Sequence, residues 1–194
     1  MKKQSLAERK KSKNIEAIMH IALHYFEKNG YDNTTIEQLC DEAMISQSTF
    51  FNYFGTKEKV VELIMLDGLK DYEEYSEKVR KEMDDPIEAV RSAMMFICDA
   101  TAKYCNTVSV FHRIAMQREE FRRIEADHYA MGASLIESAF EQSGRTCPLS
   151  NESLKIIMGG CYTNPFLTYS PEVAAERIRT TVTEFLDYLF IWKA

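Results

Sequence analysis

The sequence predicts an all-α protein of about nine helices, and three observations carry that expectation. Seven glycines and four prolines in 194 residues are few, and the long runs between them suit helices better than hairpins. Apolar residues recur three and four apart in one segment after another, and no stretch alternates with the period of two that a half-buried strand needs. Ser, Thr or Asp heads most of these runs, where a helix needs a side chain to bind its first free amides.

Taken in order, Ile15, Ile18, Met19, Ala22, Leu23 and Phe26 give a first helix over 14–29, stopped by Gly30. Thr34 with Glu37, or Thr35 with Gln38, forms a capping box for a short second helix carrying Ile36, Leu39 and Ala43. Ser46 caps a third helix ending near Gly55, and Thr56 opens a long fourth, about 57–82, through Val60, Val61, Leu63, Ile64 and Leu66. Asp85 and Pro86 supply an N-cap and a proline at the first helical position, with Glu88 completing the box. Ile87, Val90, Met94, Ile97 and Thr101 then share a face. Segments of about 107–122 and 123–143 follow, then a break over 144–150 and a helix over 151–164 with Leu154, Ile157, Met158 and Cys161 on one stripe. Pro165 and Pro171 bracket a connection, and the last helix, 172–191, carries Ile178, Val182, Phe185, Leu186 and Leu189. The chain holds no internal repeat.

Composition narrows the function. With 45% apolar and 28% charged residues the chain reads as a soluble globular protein. No apolar run nears the ~18 residues of a membrane span, and the basic N-terminus lacks a signal-peptide core, so the expected location is cytoplasmic, with no membrane partner. Five cysteines, an odd number without a C-x-x-C pair, fit buried thiols better than a disulfide framework or a zinc knuckle. His20 and His24 have metal-ligand spacing but no obvious third ligand, and neither a metal nor a cofactor is expected. A nucleophile elbow and a phosphate-cradling glycine loop are both missing, which weighs against an enzyme. The net charge of −6 is unevenly spread: residues 1–60 hold nine Lys/Arg against eight Asp/Glu, and residues 61–194 fifteen against twenty-two. Six of the basic residues fall within the first thirteen positions, a modest pointer to a polyanion.

The stretch SQSTFFNYFGTKEK, residues 46–59, mixes small polar side chains with rings. On a helical wheel Phe50 and Phe54 fall together and point inward. Ser48, Thr49 and Asn52 take the opposite arc, Phe51 and Tyr53 flank it, and Gln47 sits in the first turn. Hydroxyls donate to phosphates or bases, Gln and Asn pair with adenine, and a ring touches a thymine methyl. Two short helices joined by a four-residue turn at AMIS make a helix-turn-helix. A plain amphipathic surface helix of a bundle has the same wheel.

Residues 18–64, IMHIALHYFEKNGYDNTTIEQLCDEAMISQSTFFNYFGTKEKVVELI, resemble the DNA-binding domain of the tetracycline-repressor (TetR) family. The likeness lies in the Ile-x-x-x-Ala-x-x-x-Phe run ending at Gly30, the paired threonines, Ser-x-x-Thr-x-x-x-Tyr-Phe, and the Gly-Thr-Lys-Glu joint. It implies a three-helix DNA-binding domain over 1–56, with a basic arm at 1–13, and a larger helical effector-binding and dimerisation domain over 57–194. Thr35 then contacts phosphate, with Ser46 beside the groove-facing set Gln47, Ser48, Thr49, Phe51 and Asn52. Tyr53 and Lys57 contact the backbone, and Lys10, Lys11 and Lys13 reach it from the arm. Met44 departs from the family's usual glycine in the turn, a strained choice if its φ is positive.

The resemblance further implies a homodimeric repressor on a pseudo-palindromic double-stranded operator, released by a small apolar or aromatic effector. For the effector pocket the candidates are Met94, Tyr104, Phe111, His112, Met116, Tyr129 and Cys161, a Met- and ring-rich set that plain core packing also explains. For the dimer interface they are Leu154, Met158, Ile178, Val182, Phe185 and Leu189, on stripes running to Trp192, with Gly159-Gly160 admitting a close neighbour; an intramolecular core uses the same residues equally well. Two other readings stand beside this one. The first is an all-α enzyme or ligand carrier with an incidental helix-turn-helix. The second is a redox regulator using Cys98 and Cys105, which one helix would hold about 10 Å apart, too far for an easy disulfide.

Overall fold

Nine α-helices and no strand occur among residues 5–191, the span that the computed structural model describes; Lys2, Lys3 and Trp192 lie outside it. The helices are α1 (Leu6–Asn29), α2 (Ile36–Glu42), α3 (Gln47–Phe54), α4 (Lys57–Glu82), α5 (Pro86–Lys103), α6 (Cys105–Ala115), α7 (Glu119–Gln142), α8 (Asn151–Thr168) and α9 (Pro171–Ile191). Most begin as their first residues dictate. Thr35, rather than Thr34, caps α2 in a box with Gln38, Ser46 caps α3, Thr56 caps α4, and Asp85 accepts from the amides of Ile87 and Glu88.

Four expectations need correction. Ser5 and Glu8 close a capping box that starts α1 eight residues early, so Lys10, Lys11 and Lys13 stand on an exposed helical turn and not on an extended arm. The chain breaks at Tyr104 (φ −122°, ψ 37°), which puts Cys98 on α5 and Cys105 on α6. The next break falls at 116–118, ahead of the expected 122, and has no side-chain cap to announce it: the amides of Gln117 and Arg118 fold back on the Ile114 carbonyl. Finally, α8 continues through Pro165 to Thr168, its last turns held by buried Tyr162 and Phe166.

Two cores organise the molecule. The first joins Ile18, Ala22 and Phe26 of α1 to Leu39, Phe50, Phe54, Val60 and Val61. It does not stop at residue 57, because Phe111 of α6 and Phe121 of α7 pack into it. The second lies among α4, α5, α7, α8 and α9 around Tyr72, Met94, Ile136, Phe140, Leu154 and Ile178. The residues expected at a dimer interface belong to this second core. Leu154, Met158, Ile178, Val182 and Leu189 are all buried within the chain, and Phe185 packs against them half-buried. Here the intramolecular alternative holds, since both helices turn their stripes toward α5 and α7. Their outward faces carry Ile156 and Leu167 on α8 and Val173, Tyr188 and Ile191 on α9, all exposed. The tight helix approach is at Gly132, where a Cβ would collide with Met158; one on Gly159 would stand an ordinary 3.4 Å from the Tyr129 ring.

Candidate functional site

Helix α3 is anchored on one side and open on the other. Phe50 is fully buried and stacks obliquely on Phe54, with ring centroids 5.0 Å apart. Gln47, Ser48, Phe51 and Asn52 are exposed, with Thr49 and Tyr53 half-buried beside them. Phe51 is 48% exposed, a ring held against Phe50 yet turned to solvent. The Ser46 and Thr49 hydroxyls lie 2.9 Å apart and Ser46 also accepts the Thr49 amide, so these two hold the helix start. Thr35, exposed at the start of α2, accepts the Gln38 amide and keeps its O–H to donate. The long α1 brings its basic turn to this face: Asn14 donates to the Tyr53 hydroxyl at 3.4 Å and the Lys11 ammonium lies 5.7 Å from the Tyr53 ring centroid. The exposed set is small, polar and flanked by lysines, a surface suited to a DNA groove.

Lys57 has a structural task. Its ammonium donates to the carbonyls of Tyr31 (2.7 Å) and Thr34 (2.8 Å) and sits 4.0 Å over the Tyr31 ring. Burial lowers its pKa. Two of its three N–H donors thus tie the start of α4 to the α1–α2 loop. In the turn before α3, Met44 has φ 51°, the one positive φ at a non-glycine among the described residues, with its side chain 92% exposed.

A cavity of about 460 Å³ lies behind this head, within the range of small-molecule sites. Of the seven pocket candidates, Tyr104, Phe111 and His112 line it. The other four pocket candidates do not: Met94 and Cys161 border a separate void of about 10 Å³, Met116 is 62% exposed at the end of α6, and Tyr129 bonds Thr163 outside the wall. The pattern missed the contributions of α1 and α4. Met19, His20 and Leu23 of α1 and Ile64, Met65 and Gly68 of α4 line the cavity, and an unexplained glycine inside a helix was the one sequence signal for it.

Deep in the cavity His112 stacks on Phe166, and its Nδ1 lies 2.5 Å from a Glu125 oxygen. His128 packs half-buried between Tyr72 and Tyr162, its Nε2 is shut off from solvent with no hydrogen-bond partner among the described residues, and desolvation, with His112 adding, pushes its pKa down to about 4. Thr107, also in the wall, bonds Glu27 of α1 through its amide (2.8 Å) and hydroxyl (2.5 Å). A second tie joins Arg113 of α6 to Asp32, both terminal guanidinium nitrogens donating to its carboxylate. Burial raises the pKa of all five thiols, the opposite of an activated thiolate. Among the described residues no metal-binding group of His, Cys, Asp and Glu occurs, and no helix is long and apolar enough to cross a membrane.

Residues 18–64 match the family described as bacterial regulatory proteins, tetR family. Over 93 residues the chain is 27% identical to the HTH-type transcriptional repressor NicS of Pseudomonas putida, covering 48% of this chain and 44% of that one. Over 91 residues it is 31% identical to the HTH-type transcriptional regulator HbdR of Aromatoleum sp., covering 47% and 37%. The matches thus span less than half the length of these relatives. The fold as a whole resembles that of FadR of Thermus thermophilus, a TetR-family repressor solved in complex with lauroyl-CoA (TM-score 0.67, 21% identity, 93% of this chain and 97% of that one). It also resembles a TetR-family regulator from Syntrophomonas wolfei (TM-score 0.69, 16% identity, 94% and 97%).

Proposed function

We propose, from the match of residues 18–64 to the tetR family of bacterial regulatory proteins, that this chain is a sequence-specific DNA-binding transcriptional repressor of that family, that it acts as a homodimer, and that it leaves its operator when a small apolar or aromatic effector fills the cavity. The observation that carries this reading is that the cavity and the reading head share walls. Helices α1 and α4, which hold α2 and α3 in place, also line the cavity. A molecule lodged there presses on the supports of the reading helix, and the Glu27–Thr107 and Asp32–Arg113 ties carry movement of α6 to the end of α1.

Gln47, Ser48, Asn52 and Phe51 read base edges, while Thr35, Tyr53 and the lysines of α1 meet phosphate. Lys57 positions the head and offers its remaining N–H to the DNA backbone. The exposed faces of α8 and α9 pair the subunits, so that two α3 helices enter grooves ~34–36 Å apart. Filling the cavity separates them, because a spacing that fits the duplex is lost more easily than it is made. Selection of duplexes from a random pool, followed by titration at several salt concentrations, tests this reading. The expected result is an enriched pseudo-palindrome bound by a dimer with a steep log–log salt slope; a pool without enrichment would reject sequence-specific binding.

A further inference from the structure

The cavity has a charge pattern that selects its ligand. Four carboxylates stand exposed at its rim: Glu16 of α1, Asp67 and Asp71 of α4, and Asp99 of α5. Asp99 is paired with Arg179, whereas Glu16, Asp67 and Asp71 have no ion-pair partner among the described residues. Against them stand exposed His20 and Lys103, whose ammonium lies 4.8 Å over the Tyr104 ring.

The interior holds no fixed cation. Its apolar wall includes Leu23, Ile64, Phe96, Ile97 and Phe111. Its polar groups are mostly engaged: Thr107 with Glu27, His112 with Glu125, and the Tyr162 hydroxyl with Cys98 at 3.7 Å. His128 is neutral and keeps Nε2 unpartnered. An anion brought inside would lose its water without gaining an Arg or Lys, and would lie near the Glu125 carboxylate, a costly arrangement. A cation crossing the rim meets the reverse, since a cleft of one charge sign with low-dielectric walls concentrates counter-ions.

Resting on the effector reading of this cavity, we infer that its ligand is a non-anionic amphiphile: an aromatic or alicyclic body bearing an ammonium or hydroxyl group, and neither a carboxylate nor an acyl thioester of a phosphorylated carrier. The body occupies the apolar wall. An ammonium remains near the rim carboxylates, and a hydroxyl reaches the wall around His128.

Three probes sharing one ring separate charge from shape: 1-naphthylmethylamine (protonated at pH 7), 1-naphthalenemethanol and 1-naphthoate. Lauroyl-CoA is the fourth. Calorimetric titration into the full-length protein should give binding of the amine at least about tenfold tighter than that of naphthoate, the alcohol between them, and no binding of lauroyl-CoA. The Glu16→Gln, Asp67→Asn, Asp71→Asn triple variant should bring the amine down to the affinity of the alcohol. Ala100→Trp, which fills the cavity, should abolish binding of all three ring probes. Naphthoate or lauroyl-CoA binding as tightly as the amine would overturn the charge assignment and leave the effector reading standing. Binding that survives Ala100→Trp, or no binding of any of the four probes, would take down both.

Discussion

The reading head and the cavity behind it are held together by different kinds of contact. In the head the bonds that start each helix are local, while Lys57 to Tyr31 and Thr34 and Asn14 to Tyr53 tie the helices to one another. Ser5 with Glu8, Thr35 with Gln38, Ser46 with Thr49 and Thr56 with Lys59 are all three residues apart. Around the cavity the polar bonds are distant in sequence: Glu27 with Thr107 and Cys98 with Tyr162. A surface whose helix starts are set by near neighbours suits repeated docking on a fixed duplex. A cavity built from six helices changes shape when any of them moves, which is what a ligand sensor needs. The two are nevertheless not separate bodies, because Phe111 belongs to the core of one and the wall of the other.

That shared residue offers the hardest test of the comparison. Phe111→Ala should destabilise the whole chain by about 3–5 kcal/mol, as truncation of a buried ring does. Circular dichroism and the fluorescence of a dye on the head should report one coincident unfolding transition in denaturant. Two separated transitions would divide the regions that Phe111 is said to join.

His128 sharpens the contrast, because its buried imidazole belongs to the cavity alone. In the fold its pKa is pushed from 6.5 to about 4. Below about 6.5 the unfolded chain binds a proton that the folded chain refuses. Its contribution is therefore full above pH 6.5 and drains away as pH falls toward 4, by roughly 3 kcal/mol in all. His128→Phe should flatten the acid limb of a stability–pH curve by that amount, and parallel curves for the two proteins would return His128 to an ordinary environment.

On the head, Gln47→Ala and Asn52→Ala should each cost ~1–3 kcal/mol on the operator and relax specificity at one or two positions, with stability unchanged. Equal losses on random DNA would make these residues phosphate contacts. The smallest effect is at Met44. Glycine there relieves a left-handed backbone and should stabilise the head by about 0.5–1 kcal/mol in chemical denaturation; a loss of stability would mean that the methionine side chain contributes a contact its exposure does not suggest.

The same division explains what the sequence disclosed. Caps, short-range periodicity and the Phe50/Phe54 anchor act within one or two turns, so α2, α3, α4 and the exposed set on α3 were legible residue by residue. The strain at Met44 was legible as a missing glycine. Stripe direction was not: Leu154 and Ile178 lie on apolar faces that fit a partner subunit or the chain's own core equally well, and only the packing of α5 and α7 decides between them. The cavity was legible only in part, since Tyr104, Phe111 and His112 come from the expected helices while its α1 and α4 walls depend on contacts across the chain. The break at 116–118 has neither Gly nor Pro, and nothing local could announce it.

Coupling between the regions is tested most directly by reciprocity. 1-Naphthylmethylamine is titrated calorimetrically into the free protein and into the protein saturated with its selected operator, and operator affinity is measured with and without the amine. A ligand shifts a two-state protein only by its differential affinity for the two forms, typically ~5–150-fold, and the factor is the same in both directions. The shared walls predict that the operator weakens the amine by the factor by which the amine weakens the operator. An amine affinity that the operator leaves unchanged would contradict coupling through the cavity, and one that the operator strengthens would make the ligand a corepressor.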